Sequence, residues 1–266
     1  MNKMVLADSQ SKKFNISKVG LIVLLSLVGV LVLGCASPKQ QARNSENLKA
    51  QARAHSDLAA VYLQERKLEI ALEEFTIAKN IDPTFGSAYN GLGLVHSALG
   101  QDDLAELNFR RAIQIEPNNS ESRNNFGSFL CARNRIDESI NEFMAAVSNP
   151  LYGTPAVAYT NAGICSLRKQ DKVNAEIYFM KALQIEPLFH AAAYQLATIQ
   201  FKRDDAIGAK NTLQNALLSQ PGPELLWLAV QIARKLGDRD DEASYALQLR
   251  RQFPNSEQTK LLLSGK

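Results

Sequence analysis

The amino-acid sequence predicts an all-α protein, a right-handed superhelix of about six helix-turn-helix repeats closed by a C-terminal capping helix. Three observations predict it. The chain repeats itself over most of its length, at an interval of about 34 residues that marks a stack of small helical units. Apolar residues inside each unit fall at helical spacing, with no strand-like alternation to compete. Most units end on a proline, and the residue before a proline is pushed out of helical geometry. One hairpin of helices cannot bury its apolar face alone, so such units become stable only by stacking.

Composition bounds the rest. The 266 residues are 45% hydrophobic and 21% charged, which excludes disordered, collagen-like and disulfide-scaffold classes. The net charge of +3 is carried by residues 1–34, where Lys3, Lys12, Lys13 and Lys18 outweigh Asp8. Beyond them 26 basic and 26 acidic residues cancel. A phosphate-tracking surface needs a basic surplus, so no nucleic-acid partner is expected.

The first element is a leader, residues 1–34. After a basic start, Val19 to Leu33 run for fifteen residues without a charge, short for a membrane-spanning helix and suited to a signal-peptide core. Val32-Leu33-Gly34-Cys35 resembles a bacterial lipobox, although Leu33 stands where a smaller residue is usual. The resemblance implies cleavage before Cys35 and acylation of that residue. Ala36 after it implies export to the outer membrane, on its periplasmic face. The competing reading is an uncleaved signal anchor. Residues 35–46 are expected to be a polar, lipidated linker, and 47–266 the repeat domain.

Within that domain Ile81-Asp82-Pro83, Ile115-Glu116-Pro117 and Ile185-Glu186-Pro187 are one tripeptide type, and Pro221 lies as far beyond Pro187 as Pro117 lies beyond Pro83. The spacing sets repeats at about 52–85, 86–119, 120–155, 156–189, 190–223 and 224–257. The first has Leu58, Tyr62, Ala71, Phe75 and Ala78; the second has Leu92, His96, Ala105, Phe109 and Ala112 in register. The third carries Phe126, Gly127, Phe143 and Ala146, and the stretch Asn149 to Pro155 holds its two extra residues. Ala162, Ala175, Phe179 and Ala182 mark the fourth; Leu196, Ala209, Leu213 and Ala216 the fifth; Trp227, Ala243, Leu247 and Pro254 the sixth. Small residues sit where paired helices approach closely, and aromatic ones fill the wider gaps. The pattern resembles the tetratricopeptide repeat. Leu261, Leu262 and Leu263 read as a cap on the last unit, the alternative being a frayed tail.

No constellation for catalysis is visible, and neither cofactor, metal nor enzyme activity is expected. His55, His96 and His190 occupy three different repeat positions, without HExxH spacing or a Cys or carboxylate set. Gly91-Leu92-Gly93 lies inside a helix and reads as packing. Cys131 and Cys165 fall on one seam between neighbouring first helices. They read as an inter-repeat disulfide in an oxidising compartment, or as two buried thiols.

First helices line the inner face of such a stack. Leu63, Asn90, Leu94, Asn124, Asn125, Ser128, Asn161, Ile164, Tyr194 and Phe201 are the candidate partner-binding residues. The amides are suited to hydrogen-bond an extended backbone and the apolar residues to seat side chains; the plainer reading is that the amides solvate an idle surface or cap helix ends. The Lys/Arg/Asn clamp by which some tetratricopeptide adaptors grip a C-terminal carboxylate is not matched here.

The segment Arg123-Asn124-Asn125-Phe126-Gly127-Ser128-Phe129-Leu130-Cys131, the stretch RIDESINEF, the long Pro150 to Pro155 turn and the ending SYALQLRRQFPNSEQTKLLLSGK resemble the PilF/PilW family, lipoproteins of type IV pilus biogenesis called pilotins. The resemblance implies a monomeric outer-membrane adaptor, delivered by the lipoprotein sorting machinery. It would bind the pilus secretin and promote the secretin's outer-membrane localisation and multimerisation. The alternative is a periplasmic repeat lipoprotein serving cell-wall hydrolases or outer-membrane protein assembly.

Overall fold

A computed structural model describes residues 38–265; the leader and Cys35 lie outside the described residues. The chain divides into an N-terminal unit, residues 1–48, and a repeat unit, residues 49–266. Thirteen helices and no strand occur among the described residues. Six hairpins follow in order: α1 (Pro38–Gln64) with α2 (Leu68–Ile81), α3 (Gly86–Ala98) with α4 (Asp102–Ile115), α5 (Ser120–Ala132) with α6 (Ile136–Val147), α7 (Pro155–Arg168) with α8 (Lys172–Ile185), α9 (His190–Lys202) with α10 (Ala206–Ala216), and α11 (Pro223–Leu236) with α12 (Arg239–Gln252). The short α13 (Glu257–Leu263) ends the array.

Helix α1 begins at Pro38, so residues 38–46 of the expected linker are helical. Proline is favoured in a first helical turn, and residues 39–60 contain neither glycine nor a β-branched side chain, so nothing local interrupts the helix.

The turn inside every hairpin uses one left-handed residue. Arg66, Gly100, Asn134, Gln170, Asp204 and Gly237 all have φ between 61° and 74°. Their spacing along the chain is nearly even, except that the step from Asn134 to Gln170 is two positions longer than the step from Gly100 to Asn134. The longer step locates the insertion of the third repeat between α6 and α7. Only two of the six are glycine, although a left-handed backbone costs an ordinary L-residue roughly 1–2 kcal/mol. The turn is therefore imposed by the packing of its two helices at the other four positions.

That packing follows a small-against-large rule. Ala71, Ala105, Ala175 and Ala209 are fully buried, and so are Phe109, Phe143 and Phe179. The residue sixteen positions before each of these rings is Gly93, Gly127 or Gly163, and a Cβ there would fall 2.5–2.8 Å from the ring. In the outer repeats Ala59 stands sixteen before Phe75 and Ala197 sixteen before Leu213, where the helices leave room for a methyl group. The third repeat departs at Ser139, which occupies the alanine position. Its hydroxyl is buried and donates to the Gly127 carbonyl across 2.8 Å, so the polar group carries no desolvation penalty.

Ion pairs between repeats lie at the turns inside hairpins. Arg133 reaches Asp102, Lys169 reaches Asp137 at 2.6 Å, and Lys235 reaches Asp204. Arg135 bridges Glu106 and Glu138, each at 2.6 Å. At the far end α13 caps the sixth hairpin. Its buried Thr259 donates to the Phe253 carbonyl across 2.7 Å, and Leu261 and Leu262 are half-buried while Leu263 is exposed.

Candidate functional site

The face built by the first helices starts from repeat register. Asn90 and Asn124 occupy the same position in successive units, and Asn125 and Asn161 each stand one position later in the unit that follows. This stagger brings the amides together in pairs. Asn125 Nδ2 donates to Asn90 Oδ1 across 3.3 Å, and Asn161 Nδ2 donates to Asn124 Oδ1 across 3.0 Å.

The acceptors are almost wholly covered, Asn90 at 8% and Asn124 at 9% exposure, whereas Asn125 and Asn161 are half-buried. Asn90 and Asn124 brace one repeat against the next, and Asn125 and Asn161 keep the greater exposure of the four candidate amides. Local sequence reading missed this because the bond joins residues 35 and 37 positions apart.

The apolar candidates are also divided. Leu63 packs against the cluster that holds Ala59, Phe75 and Leu92, Leu94 against the one that holds Phe109 and Phe126, and Tyr194 and Phe201 against the one that holds Ala197, Leu213 and Leu225. All four are half-buried and serve the core on one side. Ile164 is exposed. Ser128 is exposed too, its hydroxyl donating to the Asn124 carbonyl across 2.9 Å. The ammonium group of Lys235 stands 5.4 Å from the centre of the Phe201 ring.

A cavity of about 250 Å³ gathers Ser128, Cys131, Ala132, Phe143, Asn161, Ile164 and Arg168. Cys131 and Cys165 are joined by a disulfide between α5 and α7, with Cα atoms 5.8 Å apart. Arg168 was not foreseen. Its guanidinium donates to the Cys131 carbonyl across 2.6 Å, tying the end of α7 to α5 beside the disulfide. Its place four residues after Ile164, on the same helix face, was the available signal. A second cavity, about 320 Å³, lies between α9 and α11 and is lined by His190, Ala191, Tyr194, Gln195, Gly222, Glu224 and Leu225.

This mixture of amide donors, isolated apolar seats and a cation suits recognition of a polypeptide. No group of three or more His, Cys, Asp or Glu side chains is placed to hold a metal ion among the described residues, nor is any helix there long and apolar enough to cross a membrane.

Comparison with known proteins extends the reading. The tetratricopeptide repeat family matches residues 86–119 and 156–187. The type IV pilus assembly protein PilF of Pseudomonas aeruginosa is 29% identical over 238 residues, which are 88% of this chain and 94% of that protein. The crystal structure of PilW, described as a widely conserved type IV pilus biogenesis factor, is 30% identical with a TM-score of 0.65, over 80% of this chain and 98% of that one. The structure of Pseudomonas aeruginosa PilF superposes with a TM-score of 0.69 at 27% identity, over 83% of this chain and all of the other. The repeat skeleton, the register of the hairpins and this near full-length similarity agree, and the chain belongs to the PilF/PilW family of tetratricopeptide-repeat proteins of type IV pilus biogenesis.

Proposed function

We propose that the protein is a pilotin, an outer-membrane lipoprotein that binds the type IV pilus secretin and promotes its localisation and multimerisation there. The observation that carries the reading is the family relationship, which runs the length of the repeat array rather than through one or two repeats. The leader supports it: acyl chains on Cys35 would make the chain cargo for lipoprotein sorting, and three chains hold a protein on a bilayer where one does so only marginally.

The array would act as the grip. Asn125, Asn161 and Ile164 present donors and an apolar seat across adjacent repeats, so a partner segment is held by several modest contacts. A secretin subunit held in this way would share the destination of the acyl chains, and no bond need be made or broken. Recovery of the lipidated protein from detergent-solubilised membranes tests the reading. Secretin should co-purify, and Asn125→Ala with Asn161→Ala should reduce its yield. Co-purification of cell-wall hydrolases or assembly factors in place of secretin would overturn the proposal.

A further inference from the structure

Charge is divided unevenly over the repeat unit. Among the first helices of the last three repeats, α7 and α9 contain no acidic residue and α11 contains only Glu224, at its start. The same helices finish on cations. The position two before the left-handed residue of each hairpin turn is Gln64, Ala98 and Ala132 in the first three repeats, and Arg168, Lys202 and Lys235 in the last three. All three cations are exposed. A helix dipole favours a cation at this end, yet the first three repeats do without one. In the turns that follow, Asp171, Asp205 and Asp238 are occupied as caps, each accepting from a backbone N–H at the start of a second helix.

This position looks to the side of the array on which Asn161 lies. Arg168 shares a cavity with Ser128, Asn161 and Ile164, Lys235 stands over the ring of Phe201, and Lys202 holds the same register between them. The row is short of carboxylates. Lys202 has no hydrogen-bond or ion-pair partner among the described residues, and Arg168 donates to the Cys131 carbonyl. Lys235 meets the carboxylate of exposed Asp204. A surface pair of that kind is worth little, so Lys235 can exchange its partner.

We infer that the first-helix face of the fourth to sixth repeats takes an acidic polypeptide segment held extended across the repeats, with its carboxylates on Arg168, Lys202 and Lys235 and an apolar side chain beside Ile164. The inference rests on the reading of this face as a grip for a protein and names the chemistry of what it holds. First helices of successive repeats touch one another here, and packed helices lie about 8–10 Å apart. A polyproline-type segment rises about 3.1 Å per residue with three residues per turn, so every third side chain returns to one side after about 9 Å. Carboxylates at every third residue therefore keep step with the cations. A nucleic acid asks for a wider basic surplus, which the balanced charge of residues 35–266 does not provide.

Fluorescence anisotropy tests this with the processed full chain and three labelled peptides: four Glu-Pro-Pro triplets, four Gln-Pro-Pro triplets, and an isomer of the first with its glutamates consecutive. The Glu-Pro-Pro peptide should bind, less tightly as salt rises, and the other two several-fold more weakly. Lys202→Gln should weaken binding about threefold, and Lys202→Gln with Arg168→Gln about tenfold, as two exposed ion pairs would. Lys172→Gln on α8 should change nothing. Equal affinity for the three peptides, or binding that Lys202→Gln leaves untouched, overturns the inference. Capture of phosphatidylglycerol vesicles or a DNA oligonucleotide, with the Glu-Pro-Pro peptide unbound, overturns it as well and assigns the row to another polyanion. Co-purification reports the secretin separately. Secretin lost with Lys202→Gln identifies it as the bearer of the acidic segment, whereas peptide binding with secretin absent from every preparation upholds the docking and removes the secretin.

Discussion

Asn161 donates a hydrogen bond to Asn124 across 3.0 Å, joining first helices of adjacent repeats through two side chains 37 residues apart. The bond places the nearly covered Asn124 in a structural role and leaves its partner half-exposed. Asn124→Ala is expected to cost about 1 kcal/mol, the net worth of the hydrogen bond it removes. The double variant with Asn161→Ala should cost less than the sum of the singles. A double-mutant cycle by urea unfolding measures this, and strict additivity would show that the amides act independently.

Gly127 lies against the ring of Phe143, and an added Cβ would approach it to 2.8 Å and the Ser139 carbonyl to 3.1 Å. Overpacking of this kind costs roughly 1–3 kcal/mol. Gly127→Ala should therefore lower the midpoint of denaturation, whereas Gly153→Ala, which meets nothing within 4 Å, should leave it nearly unchanged.

Gln170 holds the left-handed turn between α7 and α8 at φ 63°, the role that Gly100 fills at φ 72°. Gln170→Gly should raise stability by up to about 1 kcal/mol and Gly100→Ala should lower it by a similar amount. Thermal unfolding of the two variants compares them, and destabilisation by Gln170→Gly would show that its side chain contributes more than its backbone costs.

The Cys131–Cys165 bond links positions with a sequence separation of 34. Chain-entropy reasoning gives about 3–4 kcal/mol for a loop of that length. Reduction, or Cys131→Ala with Cys165→Ala, should shift urea unfolding by a corresponding amount without loss of helical signal. An unchanged midpoint after reduction would assign the seam's stability to packing alone.

Glu106 accepts hydrogen bonds from Arg135 and Arg110, and the Arg135 bond holds its carboxyl below the usual glutamate range. A carboxylate with a depressed folded pKa contributes stability above its unfolded pKa of about 4.3 and loses it as pH falls through the folded value. The pair is partly exposed, so the contribution is at most about 1 kcal/mol. Glu106→Gln should be less stable than the parent at pH 7, and the gap should close below pH 4. A gap that persists at pH 3 would trace the loss to packing.

The repeat skeleton was legible in the sequence because proline, alanine and phenylalanine recur at a fixed interval, and local steric rules translate each into a helix end, a close approach or a filled gap. The inner face was legible only in part. Which sides of α3, α5 and α7 carry Asn90, Asn124, Asn125 and Asn161 follows from helical period and repeat register. Which of those amides stay available depends on the offset between neighbouring repeats, a tertiary quantity no local pattern encodes. The helical start at Pro38 was hidden for a different reason: polar composition reads as a linker, yet Lys39, Gln40, Gln41, Ala42 and Arg43 are also good helix formers. Ser139 at an alanine position could be read only once its bond to Gly127 was seen.

Fractionating membranes from cells expressing Cys35→Ala shows whether an acyl anchor coupled to the helical array carries the secretin to the outer membrane. A folded protein is expected, with the secretin stranded in the inner-membrane fraction. Normal secretin multimers in the outer membrane of those cells would contradict it.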